Sequence, residues 1–222
     1  MPVLARPASG RNRLRLSKSK LTAEESFLTS FESVSLGLSG FFFRDNFLGT
    51  ELCHQIRAEA RKIVKNGRPR PAGIGQEART DTEIRGDHFC WMEKEEAGPG
   101  VRALMGEFEE LRCSMNREFY LGLDRYEMQL AQYRENSKGY KRHFDAFKGK
   151  NQRNRRLTAI YYLNPRWEQG HGGELEVYPA GGSLLLEPIA DRLVVFFAEQ
   201  LEHAVLPTEA ERLALTAWFH SP

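Results

Sequence analysis

Two kinds of hydrophobic spacing divide the chain about halfway along its 222 residues. The first half has apolar residues three or four apart, which is the spacing of amphipathic helices. Three segments show it, at 21–34, 47–67 and 101–120. From Tyr126 onward, short runs of alternating apolar and polar residues are separated by Gly, Pro and Asn, a pattern that predicts strands. The sequence therefore predicts helices first and a β-rich second half.

The predicted helices have apolar faces and recognisable ends. Thr22 followed by Glu25 is a capping-box signature at the start of the first helix. One face of that helix would carry Phe27, Phe31 and Val34. The second helix, which we expect to end at Gly67, has a stripe of four apolar residues: Leu52, Ile56, Ala60 and Ile63. We expect all three helices to buttress a sheet.

Side-chain parity assigns the faces of the predicted strands, because alternate residues of a strand point to opposite sides. The resulting groups are Tyr126, Met128 and Leu130 against Gln129, Ala131 and Tyr133; Ile160 with Tyr162; and Arg212 with Thr216 and Trp218. Several short strands within about 95 residues predict a mainly β fold with supporting helices. The expected core is a two-sheet antiparallel jelly roll, or double-stranded β-helix.

Composition limits the classes of function. A net charge of +2 with 28% charged residues is not that of a polyelectrolyte, so nucleic acid binding would need a local patch. Three cysteines without a CxxC pair argue against a disulfide framework and a thiolate zinc site. With no apolar segment long enough for a membrane span, we expect a cytoplasmic protein. Residues 1–20 are interpreted as a flexible basic tail, and 21–222 as one domain with helical support at 21–122 and the jelly roll at about 123–220.

The segment KRHFDAF contains the first candidate for chemistry. On a strand, His143 and Asp145 would share a face about 6.6 to 7 Å apart. His203 follows an apolar run at a point where the chain should return beside them. Two imidazoles and one carboxylate form the facial set that favours non-haem Fe(II) and leaves coordination positions open. For the pair alone, a surface pair or a histidine held by its neighbouring carboxylate are the alternative interpretations.

Arg212 strengthens the metal hypothesis. It lies nine residues after His203, on the predicted strand face that also carries Thr216 and Trp218. A buried arginine is costly unless an anion pairs with it, so an inward-facing Arg212 calls for a carboxylate. A dicarboxylate co-substrate would supply one.

Four stretches then resemble a known family. They are IRGDHFCW (84–91), YRENSKGYKRHFD (133–145), IYYLNPRW with GGELEVYP (160–179), and DRLVVFFAEQLEHAVLPTEAERLALTAWF (191–219). They are similar to the 2-oxoglutarate- and Fe(II)-dependent prolyl hydroxylases, in the branch of the hypoxia-inducible-factor enzymes and their bacterial relatives. The resemblance covers roughly residues 40 to 220.

The resemblance implies a set of residue roles. His143, Asp145 and His203 would bind Fe(II), and Arg212 with Tyr162 would hold the distal carboxylate of 2-oxoglutarate. Three further residues would line the pocket: Tyr133, Thr216 and Trp218. A mobile loop around IRGD would close over the substrate and involve Arg85 and Asp87, with Arg155 available to pair with that aspartate.

The function implied is hydroxylation of a prolyl residue in an exposed loop of a protein, with O2 consumed and succinate and CO2 released. A translation elongation factor is one substrate class to consider, and ascorbate is a possible supporting reductant. Hydroxylation of a free amino acid or another small molecule stays open, as does a non-catalytic jelly-roll binding module. We expect neither a membrane nor a nucleic acid partner.

Overall fold

The computed structural model describes residues 26–72, 81, 83–146 and 155–222. The predicted tail at 1–20 and the Thr22–Glu25 capping box lie outside these residues. The helices are α1 (Ser30–Ser39), α2 (Thr50–Lys65) and α3 (Pro99–Phe119). The strands are β1 (Phe41–Arg44), β2 (Arg70–Pro71), β3 (Asp87–Trp91), β4 (Arg125–Tyr133), β5 (Tyr140–His143), β6 (Arg155–Tyr162), β7 (Leu175–Tyr178), β8 (Leu184–Leu186), β9 (Leu193–Phe197), β10 (Glu202–Val205) and β11 (Arg212–His220).

Helix α1 differs from the prediction in its start and in its buried face. It begins after Thr29, whose side chain accepts a hydrogen bond from the backbone N–H of Glu32 while Glu32 binds the backbone N–H of Thr29. The expectation that Phe31 and Val34 are buried is wrong, because they are 80% and 57% exposed. Glu32 binds the Arg44 guanidinium through both carboxylate oxygens. The inward face of the helix is therefore the one that carries Glu32, not the one that carries Phe31 and Val34.

Helices α2 and α3 confirm the predicted periodicity. Ile56 and Ala60 of α2 are buried, while Leu52 and Ile63 pack partly buried against the same core. The chain leaves α2 through Gly67 with φ of 69°, a left-handed conformation that suits glycine. None of the helices in the described ranges is long and apolar enough to cross a bilayer.

Two antiparallel sheets form the body of the protein. The larger has seven strands in the order β1-β9-β6-β11-β4-β3-β2, and the smaller has four in the order β5-β10-β7-β8. One core lies between the helices and the larger sheet, and a second lies between the two sheets. This arrangement confirms the predicted mainly β jelly roll with helical support.

Strand parity places the candidate residues on the inner side of the larger sheet. Met128 and Leu130 face the helical core, whereas Ala131 and Tyr133 belong to the core between the sheets. Strand β11 runs between β4 and β6 and pairs Arg212 with Tyr133. The side chains predicted to surround a co-substrate therefore face the smaller sheet.

Candidate metal and co-substrate site

The predicted triad comes together at the edge where β5 pairs with β10. The backbone register sets His203 directly opposite His143. The Nε2 atoms of His143 and His203 lie 3.6 and 3.7 Å from Oδ1 of Asp145. One ligand atom from each residue lies within 4.8 Å of the others. The expected common strand face for His143 and Asp145 is wrong, because β5 ends at His143 and Asp145 reaches the cluster from the bend that follows.

Hydrogen bonds fix the orientation of the three side chains. Nδ1 of His143 lies 2.7 Å from the carbonyl of Lys141, and Nδ1 of His203 lies 3.2 Å from that of Leu201. A carbonyl only accepts, so each Nδ1 carries the proton and each Nε2 presents its lone pair to the cluster. Asp145 Oδ2 accepts a 2.8 Å hydrogen bond from the Thr158 hydroxyl, which leaves Oδ1 toward the imidazoles.

Electrostatics keep the ligands in the protonation states that a metal needs. Burial alone would raise the pKa of Asp145, but attraction to a protonated His203 and contacts with His143 hold it well below its usual range, so Asp145 is already ionised at the pH where His203 becomes neutral. Burial lowers the pKa of His203 to about 4. A deprotonated carboxylate and a neutral imidazole are the forms that bind a metal ion.

Aromatic rings enclose the imidazoles. Tyr140 stacks on His143 with ring centroids 3.7 Å apart and planes 21° from parallel. Phe196 contacts His203 with ring centroids 4.7 Å apart. The rings limit the motion of both ligands and exclude water from their faces.

The donor set fits Fe(II). Two neutral imidazole nitrogens and one carboxylate oxygen converge from separate segments, and each ligand has a second partner that orients it. Such a set occupies one side of a metal and leaves the other side for small molecules.

Arg212 supplies the cationic part of the site. It is 4% exposed, and its Nε donates to the carbonyl of Gly173 at 2.8 Å. Its Nη2 lies 3.3 Å from the hydroxyl of Tyr162, and its guanidinium lies 5.0 Å from the ring centroids of both Tyr133 and Tyr162. In the described part of the chain no carboxylate forms an ion pair with it. Arg212 is thus a buried cation that can take an anionic partner.

Comparisons with known proteins agree with this geometry. A family model described as the 2OG-Fe(II) oxygenase superfamily matches residues 128–220. The mouse prolyl hydroxylase EGLN3 is 32% identical over 189 residues, which are 81% of this chain and 78% of that protein. The chain belongs to the prolyl hydroxylase branch of the 2-oxoglutarate- and Fe(II)-dependent oxygenases. Fe(II), 2-oxoglutarate and O2 are therefore its cofactor and co-substrates.

Solved structures and a further relative give the same family. This oxygenase superposes on a Pseudomonas putida prolyl-4-hydroxylase with a TM-score of 0.78 and 31% identity, covering 86% of this chain and 98% of that one. It matches a Trichoplax adhaerens prolyl hydroxylase, solved with a hypoxia-inducible-factor peptide, with a TM-score of 0.78 and 28% identity over 86% and 87% of the two chains. Mouse Egl nine homolog 1 is 34% identical, and the match covers 79% of this oxygenase but only 45% of that relative.

The remaining predicted pocket residues, Thr216 and Trp218, lie farther along β11. They are 7% and 6% exposed. The Arg155 guanidinium lies 4.1 Å from the Trp218 ring centroid, and Trp91 packs edge-on at 6.1 Å. The indole Nε1 has no hydrogen-bond partner among the described residues. Trp218 thus presents an unused donor beside the candidate site.

The predicted pairing of Arg155 with Asp87 is wrong. Arg155 donates to Glu127 at 2.8 Å, while Asp87 accepts two hydrogen bonds from Arg85 at 2.7 and 3.1 Å. Burial alone would lower the pKa of Arg85, but its bonds to Asp87 raise it. Asp87 is buried at the start of β3, and both of its carboxylate oxygens accept from Arg85. Arg155 therefore pairs with Glu127 instead.

The segment predicted as a mobile loop is tied to β5 at its C-terminal end. The backbone of Gly86 donates to Gly139, and Lys141 donates to Ile84, at 2.8 and 2.9 Å. Arg85 forms an isolated bridge with Tyr140. Residues 73–80 and 82 lie outside the described residues, so loop closure stays a prediction.

Three residues that contact the cluster do not stand out in the sequence: Thr158, Tyr140 and Phe196. Thr158 could have been found, because parity places it on the same face of β6 as Ile160 and Tyr162. Tyr140 could not, because its stacking on His143 depends on an irregular register between β5 and β10 that the sequence does not reveal.

Proposed function

We propose that this oxygenase hydroxylates a prolyl residue of a protein substrate, with 2-oxoglutarate and O2 consumed and succinate and CO2 released. Two observations carry the proposal: two imidazoles and a carboxylate converge, and a buried arginine without an ion-pair partner in the described residues contacts the same core between the sheets. Relatives that are themselves prolyl hydroxylases support it, including one solved with a protein-derived peptide.

In this proposal, His143, Asp145 and His203 hold Fe(II). The Nδ1 contacts to Lys141 and Leu201 keep both Nε2 lone pairs directed at the metal position. The Thr158 hydroxyl holds the Asp145 carboxylate so that Oδ1 faces the same point. These contacts set the geometry before any metal arrives, which reduces the entropy lost on binding.

Arg212 and Tyr162 would bind the distal carboxylate of 2-oxoglutarate. The hydrogen bond from Arg212 to Gly173 fixes one edge of the guanidinium and leaves other N–H groups for a carboxylate. Burial raises the pKa of Tyr162, although Arg212 opposes that effect, so its hydroxyl stays protonated and can donate as well. Three residues would complete the pocket wall: Tyr133, Thr216 and Trp218.

When bound, Fe(II) supplies the O2 chemistry that decarboxylates 2-oxoglutarate and delivers one oxygen atom to a substrate C–H bond. The chain orients the reactants and keeps water out. Tyr140 and Phe196 cover the imidazole faces, and Tyr133 and Tyr162 cover the guanidinium of Arg212. Exclusion of water strengthens the charge contacts in the site and limits side reactions.

Arg85, held in place by the buried Asp87, would face the protein substrate from the β3 side of the site. Their bidentate ion pair and the stacking of Arg85 over Tyr140 at 4.9 Å connect that side to the His143 ligand. Arg155, whose guanidinium lies over the Trp218 ring, would contact the protein substrate on the Trp218 side of the site. A cytoplasmic translation elongation factor is the substrate class that we propose to test first, and ascorbate would serve to keep the iron reduced.

Oxygen transfer in a cell extract tests the proposal. The full chain, purified anaerobically and loaded with Fe(II), is incubated in air with extract and 2-oxoglutarate. Mass spectrometry should then find peptides that gain one oxygen atom on proline, and succinate should form in the same amount. Asp145→Ala should abolish both signals, while Asp124→Ala, at an exposed aspartate paired with Arg125, should leave them unchanged.

Two other outcomes would change the assignment. Stimulation of succinate formation by free proline, with no modified peptide, would indicate a small-molecule hydroxylase. Failure to turn over 2-oxoglutarate with extract or amino acids would favour a binding module that has lost catalysis.

A further inference from the structure

A cavity of about 670 Å³ lies against α2. Its walls are α2, the segment that follows β6, and the loop that leads into β11. None of the triad residues lines it, and neither do Tyr133 or Tyr162. Arg212 borders it, but the Arg212 guanidinium is engaged by Tyr162 and Gly173. Of the described residues, this space, called the α2 cavity below, therefore shares Arg212 alone with the metal and co-substrate site.

The charge of the α2 cavity is strongly unbalanced. Arg57 and Arg61, one helical turn apart on α2, line the cavity together with Arg166. Glu211 is the one carboxylate among the described residues that line it. Both oxygens of Glu211 already have partners, because Oε2 pairs with Arg61 at 2.5 Å and Oε1 accepts from Gln132 at 2.7 Å. Among the described residues, Arg57 and Arg166 are thus left without a carboxylate partner, as is Arg212 at the border of the cavity.

Arg57 has the clearest need for a counter-ion. Its Nε donates to the carbonyl of Leu163 at 3.1 Å, which fixes the planar group at the cavity wall. Neither Arg57 nor Arg166 has an ion-pair partner within the described ranges. Burial, and next the charge of Arg61, lower the pKa of Arg57. Like charges held together at a wall are stabilised by a bound anion, and guanidinium groups suit phosphate and carboxylate.

Two neighbouring residues add recognition groups. His171 Nδ1 accepts a 3.1 Å hydrogen bond from the backbone N–H of Glu168, so the neutral ring carries its proton on Nε2 as a donor. The Trp167 indole donates to the carbonyl of Gly172 at 2.9 Å, which fixes the ring at the cavity wall. A cavity of roughly this size is typical of small-molecule sites.

We propose that the α2 cavity binds a small molecule that carries at least two phosphate or carboxylate groups. Arg57 and Arg166 would each bind one group, with Arg61 shared between the ligand and Glu211. The site does not depend on iron, 2-oxoglutarate or the protein substrate, so it can be tested without catalysis.

Isothermal titration calorimetry with inorganic tripolyphosphate tests the proposal. The full chain is used before iron is added, because polyphosphates chelate iron. We expect one binding event in the wild-type chain and at least tenfold weaker binding in the Arg57→Gln/Arg166→Gln double variant. Lys62→Gln removes one positive charge from the same helix at an exposed position outside the cavity, and it should bind as the wild type does.

Glu211→Gln keeps the test valid if the double variant is unstable. Removal of the single carboxylate leaves Arg61 free, so tripolyphosphate should bind several-fold more tightly, which a folding defect would not produce. Citrate in place of tripolyphosphate distinguishes a carboxylate ligand from a phosphate ligand. Absence of binding to the wild type, equal weakening in Lys62→Gln, or loss of binding in His143→Ala would each overturn the proposal.

Discussion

At the scale of single residues, the two carboxylate oxygens of Asp145 have different partners, and the geometry of the site depends on this difference. Oδ1 faces both imidazoles, and Oδ2 accepts from Thr158. Without that hydrogen bond the carboxylate could rotate or turn both oxygens toward the metal. Thr158 is fully buried on β6, so its hydroxyl has no water to bond instead. We therefore expect Thr158 to position Asp145, which lies just beyond the end of β5.

Thr158→Val tests this role with little change in side-chain shape. We expect Fe(II) or Mn(II) affinity to fall by about 10-fold or more, because loss of a partner that orients a metal ligand typically has that effect. Titration calorimetry with Mn(II) measures the change. Thr158→Ser keeps the hydroxyl and should retain most of the affinity. If valine and serine variants bind metal equally well, the hydrogen bond has no role in the site.

The sequence could predict the residues of the site better than their contacts. The strand parity of Arg212 and Tyr162 follows from local geometry and agrees with the structure, whereas Asp145 joins His143 and His203 from a bend rather than from the strand face that its spacing predicted. The partner of Arg155 does not follow, because a long guanidinium side chain can reach several carboxylates and the choice depends on which strands are adjacent. Here β4 presents Glu127 and β3 has already paired Asp87 with Arg85.

At the scale of elements, β5 carries the candidate metal ligand His143, and its first residue lies close to the backbone of β10. Gly139 precedes the strand with φ of 76°, and a Cβ there would lie 2.1 Å from the carbonyl oxygen of Val205. That carbonyl belongs to β10, which carries His203. The absence of a side chain at Gly139 therefore lets the two ligand strands pair.

Gly139→Ala should lower both stability and metal affinity. The left-handed conformation costs roughly 1 kcal/mol for alanine, and the overlap with backbone adds about 1 to 3 kcal/mol. Gly122→Ala is the matched control, because Gly122 has φ of 63° and nothing within 4 Å of the added Cβ. Chemical denaturation and Mn(II) titration of both variants measure the effects. Equal losses in the two would mean that the contact with Val205 is unimportant.

The predicted buried face is correct for α2, where apolar side chains determine it. It is wrong for α1, where an ion pair determines which face is buried. The stripe of α2 buries Ile56 and Ala60 as its spacing requires. In α1 the inward face carries Glu32 because Arg44 of β1 binds it. The periodicity of one segment does not show a partner on another element. For this reason the sequence predicts Phe31 and Val34 as buried, although both are exposed.

At the scale of the whole molecule, one sheet belongs to both cores. Leu111 of α3 lies in the core between the helices and the larger sheet, and Val177 of β7 lies in the core between the sheets. Both are fully buried. Strands β4, β6 and β11 supply residues to the two cores from their opposite faces. Loss of either core would thus remove support from the strands that form the other, which supports the prediction of a single domain over 21–222.

Paired core truncations test that prediction. Leu111→Ala should cost about 2 to 5 kcal/mol, and Val177→Ala about 2 kcal/mol from two lost methyl groups and the cavity that they leave. If the cores unfold together, urea melts followed by far-ultraviolet circular dichroism and by tryptophan fluorescence should have one shared midpoint in each protein, lowered in both variants. Separate transitions, with Val177→Ala shifting only one, would show that the smaller sheet unfolds by itself. The metal ligands on β5 and β10 would then be lost before the helical layer unfolds.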